Sequence, residues 1–277
     1  MSGILYLVGT PIGNLSDFSP RAISTLEEVD FIAAEDTRVS MKLLNHFGIK
    51  KPLVSYHQHN YVSAGQNILE RLLAGENCAL VTDAGMPAIS DPGEDLVRLC
   101  GQNSVEVQTI PGPSALISAL ALSGLPTGRF TFEGFLTTNK KDRRAHLTSL
   151  CAEQRTMIFY EAPHKLKGTL ADLFEAFGDR PISLSRELTK LHEKTRRTTI
   201  AQAIAYYEEN DPKGEFVLVV AGAEPVEEAS VTLEDGVAMV LKRREQGERM
   251  KDAVRQVCAD TGLNKNELYE AALKAGC

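Results

Sequence analysis

The chain has 277 residues, of which 43% are hydrophobic, long for one domain and enough for two or three with real cores. No apolar run reaches the length of a membrane span, and the first residues lack the charged and apolar regions of a secretory signal. A formal net charge of −7 excludes a coat of basic charge, though not a local basic surface. The five cysteines (Cys78, Cys100, Cys151, Cys258, Cys277) are scattered and form no C-x-x-C pair. They predict reduced thiols of a cytoplasmic protein rather than a zinc knuckle or a disulfide framework.

The first 123 residues alternate between strand and helix. Ile4–Val8 is a short apolar strand, followed by a turn with Gly9, Pro11 and Gly13. Ser19 and Pro20 are the cap and first turn of a helix over Arg21–Val29. Asp30–Ala34 is apolar again and ends on Glu35-Asp36. A helix is predicted over Ala64–Ala74, a strand over Cys78–Val81, a helix over Glu94–Cys100, a strand over Val105–Ile110 and a helix over Pro113–Leu122. Such alternation predicts a parallel sheet covered by helices, with ligands at the carboxyl ends of its strands.

Ser123–Arg129, rich in turn residues, reads as a boundary. A second α/β unit follows: strand Phe130–Phe135, helix Arg143–Cys151, strand Thr156–Tyr160, helix Lys165–Phe177, strand Ile182–Ser185 and strand Phe216–Ala221. Gly222–Ser230 (GAEPVEEAS) reads as a linker. The tail is helical, and Met250–Asp260, Thr261-Gly262 and Asn264–Leu273 have helix-turn-helix spacing. The expected domains are therefore 1–123, 124–222 and 232–277.

The unusual residues gather at predicted strand ends. The Gly9–Gly13 turn is neither a dinucleotide fingerprint nor a phosphate loop, and Pro11 removes an N–H that a phosphate cradle would use. It reads either as close backbone approach to a ligand or as a plain tight turn. Glu35-Asp36 stands where a dinucleotide enzyme places its ribose-binding acid, but the fingerprint glycine is missing. Thr82–Gly93 (TDAGMPAISDPG) carries two acids, two glycines and two prolines after one short strand. That is long and stiff for a connector, with a pair of Asx turns as the plain alternative. Pro111-Gly112-Pro113 precedes a helix whose small first residues let a ligand approach exposed N–H groups. His57 and His59, two apart, share a face if they lie on a strand, but no third ligand accompanies them and no metal is expected. Arg186, Glu187, Lys190, Glu193 and Lys194 read as a solvated helical face or as site residues just beyond a strand. Lys140, Lys141, Arg143 and Arg144, with Arg196, Arg197, Lys242, Arg243 and Arg244, are candidates to track a phosphate backbone.

Eight motifs occur in an order that resembles a known family: LVGTPIGNLSD, AAEDTR, VTDAGMPAISDPG, IPGPSALISALALSGLP, FEGFL, FYEAPHK, SRELTK and GEFVLVVAG. The family is the bacterial 16S rRNA 2′-O-ribose methyltransferases acting on a decoding-centre cytidine, within the tetrapyrrole-methylase superfamily. The resemblance covers about residues 3–222, and the tail, about 232–275, is similar to the small helical domain of those enzymes. It implies a bilobed tetrapyrrole-methylase-like (class III methyltransferase) α/β fold, a cleft for S-adenosylmethionine, a homodimer, and the small ribosomal subunit as partner. The runner-up is a methyltransferase for a tetrapyrrole precursor or other small molecule; a ribosome-assembly protein with a vestigial cleft is a third possibility.

By the superfamily pattern, the resemblance implies donor contacts from Pro11, Asp83, Ala84, Gly85, Met86, Ile89, Ser114 and Ala115. Tyr160, Gly214 and Glu215 would close the cleft from the second unit. Met86 departs from the threonine expected there. In-line methyl transfer to a ribose hydroxyl needs alignment and help with the hydroxyl proton. Glu187 is the candidate base, Arg186 and Lys190 are candidate electrostatic or phosphate contacts, and Asp36 and Arg38 are candidates on the opposite wall. The mechanism requires no metal.

Overall fold

The computed structural model describes residues 2–224 and 231–275. They fall into two compact units, Met1–Ala223 and Glu224–Cys277.

The first unit contains two five-stranded sheets. Strands β1 (Ile4–Val8), β2 (Phe31–Ala34), β3 (Leu53–Ser55), β4 (Cys78–Val81) and β5 (Glu106–Ile110) make one, all parallel, in the order β3-β2-β4-β1-β5. Strands β2 and β4 are buried at every position. A sheet covered on both faces demands this, which is why FIAA and CALV are unbroken apolar runs. Helices α3 (Tyr61–Leu73) and α4 (Glu94–Gln102) cover one face, where Ile68, Leu72 and Leu96 meet Leu5, Phe31 and Leu80. Helices α1 (Pro20–Glu28) and α2 (Thr37–His46) cover the other, with Leu26 and Leu44 against Val8, Ile32 and Val81. As expected, Ser19 caps α1, its hydroxyl accepting from Ala22 N at 3.1 Å. Helix α2 was not legible. Its cap is Asp36, whose carboxylate accepts from Arg38 N at 2.8 Å, so residues read as a strand end also start a helix. Helix α3 begins at Tyr61, ahead of the expected Ala64.

The second sheet holds β6 (Phe130–Phe135), β7 (Thr156–Glu161), β8 (Pro181–Arg186), β9 (Lys194–Thr199) and β10 (Phe216–Val220), in the order β6-β7-β10-β8-β9. Only β6 and β7 run parallel; the other pairs are antiparallel. Helices α6 (Lys140–Ser149), α7 (Leu166–Phe177) and α8 (Ile200–Glu209) cover one face through Leu147, Leu170, Leu173 and Ala203. Neither strand β9 nor helix α8 is among the expected elements: KTRRTT has no apolar face, whereas α8 buries Ile200, Ala203 and Tyr207 on one side. The mixed-charge run from Arg186 to Lys194 is not a helical face. It is the connection of a hairpin, with Glu187 and Thr189 in the left-handed region (φ 51° and 65°).

Helix α5 (Ala115–Ser123, ALISALALS) covers the other face of this second sheet, packing on β8, β10, β9 and β7. Its apolar residues run all the way round, as a buried helix requires. Leu116, Ala119 and Leu120 pack with Ile158, Leu188, Val217 and Val219, and with Ile12 from the loop after β1. The last helix of the first stretch of sequence is thus core for the second sheet. It starts at Ala115, with Ser114 as cap rather than first turn, and ends at Gly124 in the left-handed conformation (φ 75°).

In the second unit, α9 (Leu233–Glu245), α10 (Met250–Thr261) and α11 (Lys265–Ala275) share a core of Val240, Val254, Val257 and Leu268. Thr232 and Asp235 form a capping box at α9, and Gly262 (φ 72°) turns α10 toward α11. Of the expected linker, residues 225–230 lie outside the described residues, as does Cys277.

Leu120→Ala removes a buried side chain from the core beneath α5. It is expected to cost about 2–5 kcal/mol, read as a lower urea midpoint at unchanged slope.

Candidate functional site

Three loops meet at the carboxyl ends of β1, β4 and β5. The loop after β1 pairs with the loop after β4: Thr10 N donates to Gly85 O at 2.9 Å, and Gly85 N to Thr10 O at 3.1 Å. The Thr10 hydroxyl donates to Thr82 O at 3.1 Å. A Cβ on Gly9 would lie 2.7 Å from Gly112 Cα and 2.6 Å from Met86 Sδ. Gly9 therefore serves the close approach of two backbones. A Cβ on Gly13 would meet Lys190 Cγ at 2.5 Å, so this glycine makes room for a side chain from the second sheet.

Between the two sheets lies a cavity of about 300 Å³. Ala84, Gly85, Met86, Ile89, Ser114 and Ala115 line one side, and Tyr160, Glu187, Lys190 and Glu215 the other. Pro11 and Gly214 do not line it and support its walls instead. Pro11 precedes Ile12, which does line it, and a Cβ on Gly214 would collide with the Glu187 carboxylate. Asp83 lies just outside and accepts from Asp36 N at 3.2 Å. Helix α5 points its start at the cavity, and the Ser114 side chain accepts none of the first-turn N–H groups.

Three further candidates, Arg186, Asp36 and Arg38, lie off this lining. Arg186 faces away, because consecutive strand residues point to opposite faces: Ser185 and Glu187 line this cavity, and Arg186 lines a different one. Asp36 is consumed by capping α2 and by a bidentate pair with Arg38 (Nε–Oδ1 3.0 Å, Nη2–Oδ2 2.6 Å). This pairing holds the Asp36 carboxyl well below its ordinary range. Arg38 is itself exposed and away from the lining. His57 and His59 sit in a turn, not on a strand, with His59 N donating to His57 Nδ1 at 3.1 Å. Among the described residues no group of three or more His, Cys, Asp or Glu could hold a metal ion, and no helix is long and apolar enough to cross a membrane.

Backbone strain gathers at the cavity. Among the described residues, the non-glycine residues in the left-handed region are Ala88, Ser90, Glu187, Thr189 and Ser104, and only Ser104 lies off the two loops flanking the cavity. Strain held by its surroundings is common at working sites. Asp91 lines the cavity and was missed by the sequence reading, although its loop was singled out. Leu116, Leu188 and Val217 complete the apolar lining and read in sequence as plain core.

The solved structure of uroporphyrin-III-C-methyltransferase from Thermus thermophilus is similar to this chain with a TM-score of 0.55 at 19% identity, over 79% of this chain and 94% of that one. A diphthine synthase structure is similar with a TM-score of 0.61 at 14% identity, over 80% and 90%. These likenesses concern the fold. In sequence, residues 4–204 match the profile of the tetrapyrrole (corrin/porphyrin) methylases. The chain belongs to the tetrapyrrole methylase family. This methylase is 51% identical to the ribosomal RNA small subunit methyltransferase I of Synechocystis sp., over 98% of each chain. It is 45% identical to the protein of that name from Bacillus subtilis, over 97% of this chain and 94% of the relative. It is also 49% identical to the one from Thermotoga maritima, over 80% of this chain and all of the relative.

The electrostatics of the methylase's cavity are uneven. On the first wall, burial and then the neighbouring Glu35 and Asp83 push the Asp91 carboxyl up to about 7. Burial also raises Glu35 and Asp83. On the second wall, burial pushes Glu187 up, but hydrogen bonds from Lys190 and from Glu215 N outweigh it and leave the carboxyl below its ordinary value. Lys190 Nζ lies 3.1 Å from Glu187 Oε1 and 3.2 Å from Glu215 Oε2. These contacts outweigh its own desolvation and raise its pKa, keeping it protonated.

An aspartate whose folded pKa is raised binds its proton more tightly when folded. Its contribution to stability therefore falls as pH rises from its ordinary pKa of 3.8 through about 7. Asp91→Asn is expected to raise the melting temperature above pH 7, with the gain vanishing toward pH 4; a thermal melt series across that range checks it.

Proposed function

We propose that this methylase transfers the methyl group of S-adenosylmethionine to the ribose 2′-hydroxyl of a decoding-centre cytidine in 16S rRNA of the small ribosomal subunit. The observation that carries the reading is the 51% identity, over 98% of both chains, to a relative named as a small-subunit rRNA methyltransferase. The reading includes a homodimer in the cytoplasm, which the motif resemblance supports.

The residues present fit the donor. A cavity of about 300 Å³ is at the lower bound of small-molecule sites. Its apolar wall of Ile12, Met86, Leu116 and Val217 suits an adenosyl group, and the small residues Gly85 and Ala115 permit close approach. Asp91 offers a carboxylate to an ammonium or sulfonium cation. When bound, the donor supplies an electrophilic methyl: the O–C bond forms, the C–S bond breaks, and the sulfonium becomes a neutral thioether.

The protein aligns the oxygen and manages the hydroxyl proton. Glu187, its Oε1 already accepting from Lys190 Nζ and Glu215 N, is a weak base. We assign it the positioning of Lys190. Lys190, protonated and on the cavity wall, stabilises the developing alkoxide, and the proton leaves to solvent. Tyr160 contributes an aromatic wall with Phe135, their ring centroids 5.4 Å apart.

The test uses labelled S-adenosylmethionine with small subunits from cells lacking the enzyme, alongside naked rRNA and a porphyrin precursor. Label on a single alkali-resistant dinucleotide is expected. Label on the porphyrin precursor alone would instead favour methylation of a tetrapyrrole precursor. Lys190→Met is expected to lower kcat about 10²–10³-fold, as loss of one oxyanion donor does, with little change in donor Kd by calorimetry.

A further inference from the structure

A second cavity, of about 410 Å³, opens on the other face of the second sheet. Its lining includes Arg186, Lys194, Arg196, Lys213, Tyr206 and Tyr207. The volume is that of a small-ligand site, about 300–1,000 Å³. Arg186 and Lys194 stand directly opposite each other across β8 and β9. Like charges in that register destabilise a sheet unless an anion lies between or beside them. Arg186 Nε is shielded from solvent and has no hydrogen-bond partner. Arg196 lies over the Tyr206 ring, 3.5 Å from its centroid, which fixes the guanidinium in place.

These cations differ from most of those first read as a phosphate track. Arg143 is paired with Asp172, Arg144 with Glu175, and Arg243 with Glu248 and Asp260. Arg197 donates to Leu122 O at 2.7 Å. Among the described residues, none of the four cavity cations is in an ion pair. Two carboxylates share the lining, Glu209 and Asp211, and Asp211 already meets Lys167 at 3.4 Å. Strand β9 is an edge strand, and cations there also deter strand addition. That accounts for neither Arg186 on the inner strand nor Lys213 in the loop before β10.

We propose that this cavity binds a phosphate group, and that the phosphate belongs to the RNA strand whose ribose enters the donor cleft. The proposal rests on the ribose-methylation reading. Arg186 and Glu187 are neighbours in sequence, so one strand end opens into both cavities. Arg186 supplies a planar donor fork, and Lys194 and Lys213 supply point charges. Affinity built this way is sequence-independent and weakens with salt.

The test pairs Lys194→Gln/Lys213→Gln, two exposed side chains, with Arg186→Gln. Each variant is titrated with unmethylated small subunits, with a short single-stranded RNA and with inorganic phosphate. Binding is followed by tyrosine fluorescence, the chain having seven Tyr and no Trp. The expected result is roughly tenfold weaker binding of both RNAs. The log Kd against log salt slope should shallow by about 0.7 per lost contact, with donor affinity unchanged. Wild-type affinity and slope in both variants for both RNAs overturns the proposal. Loss of inorganic phosphate binding alone, with RNA binding intact, reassigns the cavity to a free phosphate and also overturns it. If wild type leaves subunits unmethylated while the short RNA still depends on these residues, the functional reading fails and the phosphate site stands.

Discussion

The contact on which the site depends is the packing of α5 against the second sheet. The helix begins at the carboxyl end of β5 and buries Leu116, Ala119 and Leu120 among Ile158, Val217 and Val219. One element thereby fixes the distance between two sheets that share no hydrogen-bonded strand pair. The cavity is the space left beside that helix start, and its walls come from both sheets. A helix apolar on all sides has no other stable place, so the composition of ALISALALS bears directly on the cleft.

The loops beside α5 are held largely by close backbone approach, with the Thr10 hydroxyl adding a side-chain bond to Thr82 O. Gly9 approaches Gly112, Thr10 pairs with Gly85, and Gly13 leaves room for Lys190. Each fits only without a bulky side chain or in one register. The glycines of the first loop thus link the β1, β4 and β5 ends to the β8–β9 connection. The cavity this creates is acidic on the side of Asp91 and cationic at Lys190, a division suited to a cationic donor and a developing oxyanion.

Much of the first sheet was legible because its central strands β2 and β4 are buried on both faces and Ser19 gives α1 an ordinary cap; α3 and α4 have no side-chain cap and are legible from the spacing of their apolar residues alone. Helix α2 was hidden because Asp36 is at once the end of a strand loop and a helix cap. Strand β9 and the left-handed connection before it were hidden because KTRRTT has no apolar alternation, and periodicity cannot show positive φ at Glu187 and Thr189. The motif loops marked the cleft, but which residues face it depends on strand parity: Glu187 does and Arg186 does not. Asp91 escaped notice because its significance lies in burial beside Glu35 and Asp83, which spacing along the chain does not reveal.

The central claim is that one donor molecule is held simultaneously by loops of both sheets around α5. Amide hydrogen exchange with and without S-adenosylmethionine tests it most directly. The account predicts added protection both in Ala84–Ile89 and Ser114–Leu116 and across the cleft in Glu187–Lys190 and Glu215–Val217. Protection confined to one wall, or absent from both at saturating donor, would contradict it.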